Sequence, residues 1–125
     1  MLYNDLDKLT SLYPQISVET VEKTVLKRDI PLIIFGTGSK KIFLNASHHS
    51  LESITSYSLM GFCFDFLKAY EDSQTFYGGD ARLLFDNVKF YIMPMINPDG
   101  VELAVNGISK DDPNYSFLKK SNHVV

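Results

Sequence analysis

Asn45-Ala46-Ser47-His48-His49-Ser50-Leu51-Glu52 sets an imidazole and a carboxylate three residues apart, between the apolar run Ile42-Phe43-Leu44 and a long apolar segment that reads as a helix. A strand that delivers His49, with Glu52 one helical turn on, aims both side chains at one point beyond the strand's C-terminal end. Zinc takes such a nitrogen and oxygen pair, needs a third protein ligand, and keeps an open position for water when catalytic. By spacing alone His-x-x-Glu is a weak signal. Its place at a strand-to-helix junction strengthens it.

Upstream, Ile30 to Phe35 and Lys41 to Ala46 are short apolar runs joined by Gly36-Thr37-Gly38-Ser39-Lys40, the pattern of a hairpin. The glycine loop is no phosphate cradle, because a P-loop leads into a helix and here a strand follows. Ile16 to Leu26 is rich in β-branched residues and reads as a strand with an irregularity near Thr20; Lys27-Arg28-Asp29 reads as a turn. Asn4 is a candidate cap for a first helix with Leu6, Leu9 and Tyr13 on one face, stopped by Pro14.

Downstream, Glu52 to about Tyr70 lacks proline and carries Leu59, Met60, Cys63, Phe66, Leu67 and Tyr70 on one broad face, with Asp65, Lys68 and Asp72 on the wet side. Asp80 is a plausible cap for a short helix through Phe85. Val88 to Met95 is nearly all apolar, as expected of a strand covered on both faces, and Asn97-Pro98-Asp99-Gly100 reads as a turn. Residues 101 to 125 are polar with little periodicity. Three strands, a helix and a fourth strand behind a leading helix predict an α/β domain on a mixed sheet.

Composition excludes several classes. The chain has 125 residues, 45% hydrophobic and 13% aromatic, which suits one folded domain with a real core. A net charge of -3 and no large basic cluster argue against nucleic acid as a partner. No apolar run reaches about 18 residues, so no membrane span is expected. Met1-Leu2-Tyr3-Asn4-Asp5 lacks the charged and apolar regions of a signal peptide, so a cytoplasmic location is expected. The single cysteine, Cys63, lies on the apolar helix face and reads as a small buried hydrophobe.

Four stretches in order carry a family resemblance: Lys23-Thr24-Val25-Leu26 before Arg28, the Asn45–Glu52 segment, Tyr77-Gly78-Gly79-Asp80-Ala81-Arg82, and Pro94-Met95-Ile96-Asn97-Pro98-Asp99-Gly100-Val101. Together they resemble the zinc metallocarboxypeptidase family over roughly residues 16 to 105. The likeness is nearest to its bacterial branch, the γ-D-glutamyl-L-diamino acid endopeptidases that trim cell-wall peptides. The resemblance implies a three-layer mixed-sheet domain, a peptide substrate, and His49 and Glu52 as the first two ligands of Zn2+, with His48 a neighbour. Departures stand at Leu51, where the family has a polar residue, at Ser53, where the bacterial branch has an aromatic, and at Lys27, where a glycine is expected.

The family's third ligand histidine, general-base glutamate, and substrate-holding arginines and asparagine belong to segments without a counterpart here, so no catalytic or substrate-binding residue is assigned. His123 lies too early and in the wrong context to be that histidine. Residues 1–125 are therefore expected to form a single, incomplete domain resembling the family's N-terminal half, with 106–125 a poorly structured tail. Such a chain is expected to bind zinc weakly, to be inactive alone, and to self-associate as a homo-oligomer through a bare edge at Ile42-Phe43-Leu44. The alternative is a non-catalytic relative that serves as an interaction module. A third possibility is a plain structural domain with a chance His-x-x-Glu.

Overall fold

Val88-Lys89-Phe90-Tyr91-Ile92-Met93 alternates strictly between buried and half-buried positions, and it takes the centre of the sheet. The computed structural model describes residues 2–120. In chain order it contains α1 (Leu2–Leu12), β1 (Ser17–Lys23), β2 (Asp29–Phe35), β3 (Lys40–Asn45) and α2 (Ser53–Glu71). There follow a small ribbon of β4 (Thr75–Phe76) and β5 (Gly79–Asp80), then α3 (Ala81–Asn87), β6 (Val88–Met93), α4 (Pro98–Asn106) and α5 (Tyr115–Lys120). The main sheet runs β1-β2-β6-β3, antiparallel at β1–β2 and β2–β6 and parallel at β3–β6. A mixed α/β domain is what the pattern predicted, and the expected irregularity appears as a register shift between Thr20 and Glu22.

The expected hairpin between β2 and β3 is wrong: β6 lies between them. The glycine loop makes this possible. Thr37 N–H donates to Phe85 O at 2.9 Å and Gly38 N–H to Val88 O at 3.3 Å, so the loop lies against the start of β6. A Cβ on Gly36 would stand 2.1 Å from Val88 O, and one on Gly38 1.8 Å from Asn87 C. Neighbouring strands sit about 4.8 Å apart, so the loop spans two such spacings and leaves a slot one strand wide. The true hairpin is β1–β2, closed by Thr24 N–H to Arg28 O at 2.8 Å and Lys27 N–H to Thr24 O at 3.0 Å. Lys27 sits there at φ 65, the left-handed geometry that explains why a glycine suits this position.

One core joins the sheet to α1, α2 and α3. Ile33, Phe35, Val88, Phe90 and Ile92 bury the same side of the sheet against Leu6, Leu9, Met60, Cys63, Phe66, Leu67 and Phe85. Phe66 is fully buried, with ring centroids 5.5 Å from Phe35, 5.4 Å from Phe90 and 5.3 Å from Phe76. Burying a side chain of this size stabilises the fold by about 1.5–3 kcal/mol. Cys63 lies in the same layer, and burial pushes its thiol up to about 12, so it stays an inert thiol.

The helix ends depart from the sequence reading in informative ways. Asn4 lies inside α1 rather than capping it. Asp80 does cap α3, accepting from Arg82 N–H and Leu83 N–H. Asn97-Pro98-Asp99-Gly100 is not a simple turn but the start of α4: Asn97 caps it and Pro98 fills the first position, where a missing N–H costs nothing. Within the expected loose tail, α5 forms and buries Leu118.

Candidate metal centre

Where β3 ends at Asn45, Ser47 turns into left-handed geometry at φ 51 and reverses the chain toward α2. The reversal puts His49 and Glu52 side by side. His49 Nδ1 lies 2.9 Å from Glu52 Oε1, and His49 N–H reaches Glu52 Oε2 at 3.4 Å. Both face solvent, the His49 side chain 81% exposed and that of Glu52 46%. The imidazole hydrogen bond holds the Glu52 carboxyl below its usual range, with the His49 backbone N–H adding to it. Glu52 stands at the N-cap of α2 but makes no side-chain cap bond, because its oxygens are turned to His49. An anionic group is still favoured there by the helix dipole.

The loop is fastened from two sides. Toward α2, Ser47 Oγ meets Ser56 Oγ at 2.6 Å and donates to Glu52 O at 3.0 Å, Ser56 Oγ reaches Pro94 O at 2.5 Å, and Ser47 N–H donates to Thr55 Oγ1 at 3.0 Å. Toward α4, Ile96 N–H donates to Ala46 O at 2.9 Å, Asn97 N–H to Ser47 O at 3.0 Å, and Asn97 Nδ2 to His48 O at 3.1 Å. Ser47 and Ser56 are both buried. None of Ser47, Ser56 or Asn97 was singled out from sequence as a site residue. Ser56 stands one turn before Met60 on the buried face of α2, and a hydroxyl in an apolar stripe is the signal that marks it.

A second polar knot sits on the far side of α4. The Asp99 carboxylate accepts from Thr24 Oγ1 at 2.7 Å, Arg28 Nη1 at 2.9 Å and Leu26 N–H at 3.0 Å. It ties the β1–β2 turn to the helix whose cap holds the loop.

The donor chemistry suits zinc in part. His49 Nδ1 and Glu52 Oε1 are a nitrogen and an oxygen converging on one solvent-facing point, the kinds of ligand zinc takes. Among the described residues no third His, Cys, Asp or Glu joins them. His48 turns its Nε2 to Asn45 Oδ1 at 2.6 Å, and His123 lies outside the described residues. Leu51, between the two donors, is 87% exposed.

The family described as zinc carboxypeptidase matches residues 2–122. The chain is 36% identical over 123 residues to "Gamma-D-glutamyl-L-diamino acid endopeptidase 1" of Lysinibacillus sphaericus, covering 98% of this chain and 31% of that protein. Among solved structures, a metallo-carboxypeptidase from Burkholderia cenocepacia is 33% identical with a TM-score of 0.65, over 83% of this chain and 27% of that one. Bovine thrombin-activatable fibrinolysis inhibitor shares the fold with a TM-score of 0.69 at 16% identity, over 90% of this chain and 38% of that one. The chain thus spans about a third of the length of these relatives. With that family matched over nearly the whole chain, it belongs to the zinc carboxypeptidase family.

Proposed function

We propose that His49 and Glu52 are two protein ligands of a peptidase zinc, and that this chain supplies the N-terminal, metal-binding part of an enzyme hydrolysing γ-D-glutamyl-diamino acid bonds in bacterial cell-wall peptides. The observation that carries the reading is the Nδ1–Oε1 pair at 2.9 Å, presented to solvent at the end of a strand. Similarity to the Lysinibacillus endopeptidase supports the substrate class. Bound zinc would supply a Lewis acid and a water ionised near neutral pH. The chain's own part is to offer an imidazole nitrogen and a carboxylate whose hydrogen bond to His49 holds it below its usual range.

Two donors hold zinc less well than three, so the isolated chain is expected to bind it weakly and to lose it to a mild chelator. Metal analysis after such dialysis is expected to find far less than one zinc per chain. One chelator-resistant zinc per chain overturns the two-donor site and makes His48 and His123 the next residues to substitute. A second reading, a non-catalytic relative acting as an interaction module, is favoured by Leu51. An apolar side chain 87% exposed beside the donors suits a surface that meets another chain.

The edge of the sheet supports self-association. β3 pairs with β6 on one side, and among the described residues no strand pairs with its other side. Phe43 on it is 56% exposed. An antiparallel two-fold pairing would set Lys40 and Lys41 of one copy opposite Leu44 and Asn45 of the other, keeping like charges apart. Light scattering over a dilution series is expected to show a concentration-dependent dimer that Phe43→Lys abolishes. A monomer at high concentration overturns it. No described helix is long and apolar enough to cross a membrane.

A further inference from the structure

The loop bearing His49 and Glu52 is exposed at its tip, so its shape must be set from below. Asn97 makes three hydrogen bonds there with three different atoms. Its Oδ1 accepts from Gly100 N–H at 2.9 Å, which caps α4. Its backbone N–H donates to Ser47 O at 3.0 Å, and its Nδ2 donates to His48 O at 3.1 Å. The last bond acts on the peptide immediately before His49. An amide fixed at one end by the helix and at the other by the loop leaves little freedom in the direction from which His49 departs.

The surroundings are built around that side chain. A Cβ on Gly100 would stand 2.5 Å from Asn97 Nδ2 and 2.8 Å from Ser50 Oγ, so the first turn of α4 leaves room for the amide and the loop together. We propose that Asn97 is a positioning residue for the metal centre: it holds the His48 carbonyl so that His49 Nδ1 faces Glu52. The inference rests on the reading of His49 and Glu52 as zinc ligands. It adds a role for a side chain that touches neither the metal nor the reacting atoms.

Its two functions, capping and positioning, can be separated by substitution. Asn97→Ser keeps a good helix cap but lacks the second arm, and Asn97→Asp keeps the cap while replacing the donor with an acceptor. Zinc affinity of the whole chain would be measured by titration against a chromophoric chelator, beside urea unfolding of the same samples. Loss of a hydrogen bond supporting a ligand typically weakens metal binding 10–100-fold. Asn97→Ser is expected to weaken zinc binding by about ten-fold with the unfolding midpoint nearly unchanged, and Asn97→Asp by at least as much. Amide resonances of Ser47 to Glu52 in the metal-free protein are expected to shift in both variants. Wild-type affinity in both, while His49→Ala loses it, overturns the positioning role alone. If wild type binds zinc no better than His49→Ala, the ligand assignment fails, and this inference with it.

Discussion

Gly38→Ala is expected to leave the chain without a stable folded state. The added methyl would lie 1.8 Å from Asn87 C and 2.0 Å from Val88 N, and both are backbone atoms at the junction of α3 and β6. A side chain could rotate away from such a clash, but this stretch of backbone cannot. Relief requires the loop to lift off, which breaks the Thr37–Phe85 and Gly38–Val88 hydrogen bonds and pulls at the strands on either side of β6. Overpacking in an ordinary core costs about 1–3 kcal/mol, and a backbone collision that also breaks hydrogen bonds is expected to exceed about 4. Domains of this kind hold only about 5–15 kcal/mol in total. Gly61→Ala is the control: it lies in α2 with nothing within 4 Å of the new methyl, and is expected to gain about 1 kcal/mol from helix propensity. Urea unfolding followed by circular dichroism reads both. A Gly38→Ala chain within about 1 kcal/mol of wild type contradicts the strand-crossing role of the loop.

The same loop shows where the sequence was legible and where it was not. Ile30–Phe35 and Lys41–Ala46 declare themselves as strands by composition, but pairing is a long-range property. A glycine loop between two apolar runs looks alike whether the runs touch or another strand slides between them. Only the approach of Gly36 and Gly38 to Val88 and Asn87 distinguishes the cases, and that needs β6 in place. Asn97-Pro98-Asp99-Gly100 is ambiguous in sequence for a different reason. Its residue types serve turns and helix starts equally, and the helix that follows is short and buries only Pro98 and Val101. The approach of His49 to Glu52 was legible because its spacing is local: one turn of chain after a strand brings the two side chains together. Its supports were not, since Asn97 lies 49 positions beyond the carbonyl it holds.

The other large effect is catalytic. The isolated chain is expected to give no turnover of γ-D-glutamyl-diaminopimelate peptides above its His49→Ala variant, even with excess zinc. Among the described residues the His49–Glu52 pair gathers no further His, Cys, Asp or Glu, so it has neither a third donor nor a neighbouring carboxylate to move a proton. Catalytic groups act as a set, and losing members costs several orders of magnitude in rate. The positive counterpart is a chimera in which this chain replaces the matching 31% of the Lysinibacillus endopeptidase. That protein is expected to cleave the peptides, and His49→Ala or Glu52→Ala within it to lower kcat/KM by about a thousand-fold or more. The comparison separates the two readings of the chain. A folded but inactive chimera in which Leu51→Asn and Ser53→Trp restore turnover points to a degenerate relative, with the apolar side chain beside the donors at fault. Clear turnover by the isolated chain, lost on His49→Ala, would overturn the two-donor description of the site, because the missing base and ligand would then have to come from residues already in it.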